Sequence, residues 1–253
     1  MYLKNTWTHL LSPYGNNIIL NKCSKNKTEG EVIAMSQLLN IDFKKPNKNP
    51  TMDAETSEFE LPFYKDVEYF SNIDNFVGFI KAVERTVRTS NYYSRYIAYI
   101  KEDIGLKRCQ VLSNIEEEDE QDKLLEMHHG PILTLFDYAA IITDYLLAKD
   151  KKITTFSVAN ILIQEHYDNN IQVVMLSKTV HEQVHENNIF LNLKQAFGNL
   201  DAFLKKYREG VHPEQVNKIN KYIEASIKYD SFDKDVLKLS GFVKKWKKDH
   251  DEE

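Results

Sequence analysis

The chain has 253 residues, 42% of them hydrophobic, which is enough to form the core of one large domain or two small ones. Its formal net charge of −5 does not indicate a nucleic-acid binder, because proteins normally meet a phosphate backbone with an excess of Lys and Arg. Two cysteines far apart do not make a disulfide framework, and no apolar run approaches the roughly 18 to 20 residues that span a bilayer. We therefore expect a protein of the cytoplasm with no membrane partner.

The first 73 residues are predicted to form an N-terminal extension. Within it, residues 44–58 are the clearest linker, because this polar stretch rich in Lys, Asn and Pro has almost nothing to bury. Residues 74–105 are predicted to be helical, since their apolar side chains recur at helical spacing, and a second helix is expected over residues 91–102. Three arginines are interleaved with tyrosines there, namely Arg85, Arg88 and Arg95. They could track phosphates, but a tyrosine-rich core face with arginines at its edge is the favoured interpretation.

Two histidine clusters are the most informative feature of the chain. The first, His128-His129-Gly130-Pro131, closes a predicted strand over residues 123–128, which returns from an earlier strand over residues 108–115 through an acidic turn. Consecutive residues of a strand point to opposite faces, so both histidines can serve one site only if the strand ends or bends there. Gly130 and Pro131 supply such a break.

The second cluster is His181 and His185, four residues apart in a predicted helix over residues 178–186 that follows a short apolar strand over residues 171–176. At this spacing the two imidazoles lie on one helix face and can bind a single metal ion. Between the clusters, residues 132–168 are predicted to be a helical insertion. It would end near His166, where the helix dipole favours a cation.

With these motifs, the chain resembles the HNH, or His-Me finger, nucleases over roughly residues 106–200. The resemblance lies in Glu-Met-His-His at residues 126–129 and in the His-Glu-Gln-Val-His helix at residues 181–185. It implies a small ββα-metal core embedded in helices, with C-terminal helices over residues 201–253, and hence a mainly helical α+β fold. The abundance of Lys, Asn and Ile is typical of an AT-rich genome and favours a bacteriophage-type member.

The resemblance implies a metal-dependent endonuclease that hydrolyses phosphodiester bonds in DNA. His129 would be the general base that activates water, with Glu126 and Gln172 as the residues that support the site, although the family usually has Asn in place of Gln172. One divalent cation would be bound by three further histidines: His128, His181 and His185. Three imidazoles favour zinc, nickel, manganese or cobalt over an all-oxygen magnesium site, although magnesium stays open. DNA would be the main partner, with a homodimer or another phage protein as further partners.

Two alternatives stay open. The segment His-Glu-Gln-Val-His also matches the HExxH signature of zinc proteases, in which Glu182 would be the general base, but this leaves His128 and His129 without a role. The other alternative is a catalytically decayed HNH fold that serves as a structural or interaction protein, since Gln172 in place of Asn could mark lost catalysis.

Overall fold

The computed structural model describes residues 64–112 and 125–250, which all belong to one compact unit. Most of the predicted N-terminal extension lies outside the described residues, including the linker at residues 44–58, and so does the acidic turn. Within the described ranges, no helix is both long enough and apolar enough to cross a membrane.

Three helices open the described chain: α1 spans Val67–Phe70, α2 spans Ile73–Arg88 and α3 spans Asn91–Glu102. Asn72 caps α2, because its side-chain oxygen accepts a hydrogen bond from a backbone N–H of the first turn, and Ser90 caps α3 in the same way. The apolar face of α2 is fully or nearly buried and keeps the helical spacing on which the prediction rests: Phe79, Ile80, Val83 and Val87.

A two-stranded antiparallel sheet follows, in which β1 (Leu125–His129) pairs with β2 (Val173–Ser177). The strand predicted over residues 108–115 is wrong for its described part, which forms no strand. Instead, Gln110 binds the outer edge of β2, donating from its backbone N–H to the carbonyl of Met175 (2.9 Å) and accepting the N–H of Met175 at its side-chain oxygen (2.6 Å). One residue thus satisfies, through its backbone N–H and its side-chain oxygen, the backbone groups of Met175 that a third strand would otherwise pair.

The insertion between the strands consists of α4 (Leu135–Leu147) and α5 (Thr155–Tyr167). Each helix begins with a capping box, in which Thr134 or Thr154 exchanges hydrogen bonds with the residue three positions later. The first helix therefore begins at Leu135, three residues after the predicted start of the insertion at residue 132. Both helices pack against α2 and against each other, and their apolar side chains belong to the same core as those of the sheet.

β2 leads directly into α6 (Lys178–His185), which completes a ββα unit. Three further helices close the described chain: α7 (Leu200–Lys206), α8 (Pro213–Lys228) and α9 (Lys234–His250). Pro213 stands in the first turn of α8, where its missing N–H costs nothing. The described residues form a mainly helical α+β fold with a small antiparallel sheet, so the predicted fold class is confirmed.

Candidate metal centre

Successive side chains of β1 point to opposite faces of the strand, and these faces differ in burial. Leu125 and His129 are buried, whereas Glu126 is exposed and His128 is partly exposed. Side chains two positions apart in a strand share a face, so Glu126 and His128 lie together on the face that meets α6. His129 takes the opposite face, because β1 stays extended through this residue and breaks only at Gly130.

Three imidazoles converge where β1 meets α6. His128, His181 and His185 each offer a ring nitrogen, and these nitrogens all lie within 4.8 Å of one another. The Nε2 atoms of His181 and His185 are 3.0 Å apart, and the ring centroid of His128 lies 5.0 and 5.1 Å from those of the two helical histidines. Gly130 leaves room for the first ring, since a Cβ at this position would lie 2.8 Å from Nε2 of His128. The structure thus brings together the three residues predicted as metal ligands.

Glu126 fixes the orientation of one imidazole of this cluster. Its Oε2 lies 2.5 Å from Nδ1 of His181, and an ionised carboxylate only accepts hydrogen bonds, so Nδ1 of His181 donates. The lone pair of neutral His181 is therefore on Nε2, the atom that faces His185. Metal-binding histidines commonly donate their other ring N–H to a carboxylate in this way.

The protonation state of His128 suits a ligand. Burial, and then the neighbouring His181 and His185, lowers the pKa of His128 to about 4. This imidazole is therefore neutral near pH 7, and a neutral imidazole has the lone pair that a metal ion requires.

His129 is hydrogen-bonded away from the cluster, to a histidine of α5. Its Nε2 lies 3.0 Å from Nε2 of His166, and Nδ1 of His166 lies 2.7 Å from the carbonyl oxygen of Leu162. A carbonyl oxygen only accepts, so Nδ1 of His166 carries its proton and Nε2 of His166 accepts. His129 must then donate from Nε2. The structure does not bring His129 into the three-histidine cluster, and its role as general base stays a prediction.

Aromatic rings enclose this second pair of histidines. Tyr93 stacks on His129, with ring centroids 6.0 Å apart, and Tyr96 meets the ring of His166 edge-on at 5.0 Å. His166 lies in the last turn of α5, as predicted, but burial lowers its pKa to about 4 and so disfavours the cation expected there. No local pattern predicts this partner of His129, although five of the eight histidines lie in or next to the two clusters when His166 is included.

Gln172 and Glu182 complete the set of predicted site residues. Gln172 is buried and reaches the end of β1 through its backbone carbonyl, which accepts the N–H of Gly130 at 3.2 Å. Its side-chain Oε1 has no hydrogen-bond partner among the described residues, so the predicted support by its amide stays a prediction. Glu182 is exposed on α6, and the structure adds a third imidazole, His128, to the His-Glu-Gln-Val-His pair.

The fold and the cluster define a class of protein: a mainly helical α+β chain with a three-histidine candidate metal site on a ββα unit. Residues 22–249 match the model of the bacteriophage G278-like virion protein family. Since the match covers most of the chain, the protein belongs to this family. No curated protein and no solved structure matches the chain.

Family membership supports the bacteriophage origin predicted from composition and favours a structural role among other phage proteins. Nothing in the match indicates an HNH endonuclease or binding to DNA. The nuclease activity, the bound metal and the cytoplasmic location therefore stay predictions.

Proposed function

We propose that this virion protein is a structural component of the phage particle, and that its ββα unit holds one divalent transition-metal ion at three histidines: His128, His181 and His185. The observation that carries the proposal is the convergence of three imidazole nitrogens within 4.8 Å of one another. The structural part of the proposal is supported by the family, which is one of virion proteins.

A metal ion at this point would tie β1 to α6, two elements that the whole helical insertion separates in the sequence. An ion that binds only the folded chain adds its binding free energy to the stability of the fold. In the absence of metal, the Nε2 atoms of His181 and His185 are 3.0 Å apart, within hydrogen-bond distance, and an ion bound to both would replace this contact. Three imidazoles suit zinc, nickel or cobalt, and they suit manganese less well.

Metal content tests this proposal, measured by inductively coupled plasma mass spectrometry on protein purified without chelator. We expect about one transition-metal ion per chain in the wild type and loss of that ion in His181→Ala. His250→Ala is the matched control, because His250 lies on α9 and bonds to its own helix. The unfolding temperature should rise on adding zinc to the wild type and the control only. If the wild type neither contains nor takes up metal, the three histidines are not a metal site and have a structural role only.

A second candidate function is phosphodiester hydrolysis by a metal-bound water, as in the nucleases that the chain resembles. It is favoured by the number of ligands: in the described part of the chain the cluster has three donors, and His185 is exposed. Catalytic zinc sites typically have three protein ligands and keep the fourth position for water.

Nicking of supercoiled plasmid by the metal-loaded protein tests this second candidate. Cleavage should be lost together with the metal in His181→Ala. His129→Ala tests the predicted general base: lost cleavage with metal retained would support that role, whereas retained cleavage would assign His129 only to its buried pair with His166. Glu182→Gln distinguishes the protease alternative from the nuclease, because this change would remove the general base of an HExxH protease but leave DNA cleavage intact. No cleavage with any added divalent metal would exclude the hydrolytic candidate and leave the structural metal site standing.

A further inference from the structure

We propose that the fourth ligand of the metal ion is the carboxylate of Glu182 from a second copy of the chain, so that two copies pair through α6 and share two metal ions. The inference rests on the metal site proposed above and names its partner.

The three-histidine cluster provides fewer ligands than a structural zinc ion normally has. Structural zinc sites are almost always tetrahedral with four protein ligands, whereas the described residues bring three donors together. Among the described residues, the carboxylate of Glu126 contacts the cluster, and it is already engaged with Nδ1 of His181 at 2.5 Å. The cluster also lies at the surface, since His185 is exposed. A structural ion here therefore has one position that the described residues do not fill, and that position is accessible to a donor from outside them.

The candidate donors for the fourth position are the exposed carboxylates at the end of α6. Two carboxylates lie exposed at the C-terminal end of α6, those of Glu182 and Glu186. The Oε2 atom of Glu186 accepts hydrogen bonds from the side-chain amides of Gln183 (3.2 Å) and Asn188 (3.0 Å). Within the described residues, the carboxylate of Glu182 has no hydrogen bond or ion pair. Glu182 is thus the carboxylate of this helix that is available to a ligand.

The direction of the Glu182 side chain decides which cluster its carboxylate can reach. Adjacent residues of an α-helix point about 100° apart, so Glu182 does not lie on the face that carries His181 and His185. Its side chain therefore leaves the helix on a different face from that of the cluster, but within one helical turn of it. When two copies of α6 pack antiparallel about a two-fold axis, each copy can present Glu182 to the cluster of the other. Such an isologous contact closes with two copies and makes the same bond twice.

Charge favours the same arrangement. A divalent ion on three neutral imidazoles is a centre of positive charge at the surface, and a carboxylate from the partner neutralises part of it. Each chain has a formal net charge of −5, so two copies without metal repel each other. Pairing should therefore depend on the metal.

Light scattering coupled to size-exclusion chromatography tests the proposal on the full chain, with zinc or with chelator. The wild type should have the mass of a dimer in zinc and of a monomer in chelator. Glu182→Gln should stay monomeric in zinc and bind zinc roughly tenfold more weakly, because one ligand is lost. Glu186→Gln is the matched control and should pair like the wild type. Equal unfolding temperatures in chelator would show that both variants fold.

The outcomes separate the inference from the metal site on which it rests. A wild type that binds zinc and stays monomeric would overturn the pairing and leave water as the fourth ligand, while the metal site stands. A zinc-dependent dimer that persists in Glu182→Gln would overturn the role of Glu182. A wild type that binds no zinc would overturn both the site and the pairing.

Discussion

At the residue scale, two buried tyrosine hydroxyls differ in whether they have a hydrogen-bond partner. The hydroxyl of Tyr138 accepts a hydrogen bond from the backbone N–H of Gln172 at 3.1 Å, whereas no described residue bonds to the hydroxyl of Tyr96. A buried polar group without a partner costs roughly 1 to 3 kcal/mol. Tyr96→Phe should therefore raise the free energy of unfolding by about 1 kcal/mol, and Tyr138→Phe should lower it by a similar amount. Urea denaturation measures both changes, and equal destabilisation by the two variants would contradict this assignment.

The buried histidine pair makes stability depend on pH. Burial lowers the pKa of His166 from 6.5 to about 4 and holds the pKa of His129 well below its usual value. Below pH 6.5 the unfolded chain therefore binds protons that the folded chain excludes, so the stabilisation is complete above this pH and decreases as the pH falls toward 4. Each excess proton in the unfolded state costs about 1.4 kcal/mol per pH unit.

Urea unfolding at a series of pH values, with chelator present to remove metal, measures this dependence. Stability should fall between about pH 6.5 and 4.5, and the double variant His129→Leu/His166→Leu should show a shallower slope because the pair no longer titrates. The same slope in the wild type and the double variant would assign the pH dependence to other groups.

At the scale of elements, β2 begins beside a close approach of two backbone segments at Gly198. This residue has a φ of +115°, and a Cβ at this position would lie 2.1 Å from the carbonyl oxygen of Ile171. The approach brings Phe197 into two backbone hydrogen bonds with Val173, both 2.8 Å long. Only glycine combines this backbone conformation with the lack of a side chain. The loop before α7 thus fixes the first residue of the strand that leads to the metal helix.

Gly198→Ala should lower the free energy of unfolding by about 2 kcal/mol or more, because it combines a strained φ with overlap against backbone. Gly241→Ala is the matched control: a Cβ there meets nothing within 4 Å, and Gly241 lies inside α9. Alanine at this helical position should raise stability by roughly 0.5 to 1 kcal/mol. Thermal unfolding followed by circular dichroism compares the two, and a tolerated Gly198→Ala would mean that the close approach relaxes freely.

At the scale of the whole molecule, family membership predicts where the protein is found. The chain should be present in gradient-purified particles of the phage that encodes it, detected by mass spectrometry of the particle proteins. A replication enzyme of the same phage serves as the control and should be absent from the particles. Detection in infected-cell lysate alone would contradict a structural role in the virion.

The net charge leads to a separate expectation for DNA. A chain with a formal net charge of −5 lacks the cationic excess that drives counterion release from duplex DNA. Gel-shift experiments at physiological salt should therefore show no binding at micromolar protein. Tight, salt-dependent binding would instead favour the hydrolytic candidate and indicate a local basic surface.

Local sequence patterns predicted most of the helices and the spacing of the helical histidines. Helix α3 has the bounds predicted for it, and His181 and His185 share one face of α6, because caps and helical periodicity act within a few residues. The alternation of a strand likewise requires that His128 and His129 point to opposite faces.

The partners of the two faces of β1 come from segments far away in the sequence. His128 meets α6, which lies beyond the helical insertion, and His129 is buried against His166 of α5. In place of the strand predicted over residues 108–115, the described part contacts the edge of β2 through the backbone N–H and the side-chain oxygen of one residue, Gln110. The physical reason is the same in each case. Alternation fixes the direction of a side chain, but its partner is supplied by packing between segments far apart in the chain, which local patterns do not encode.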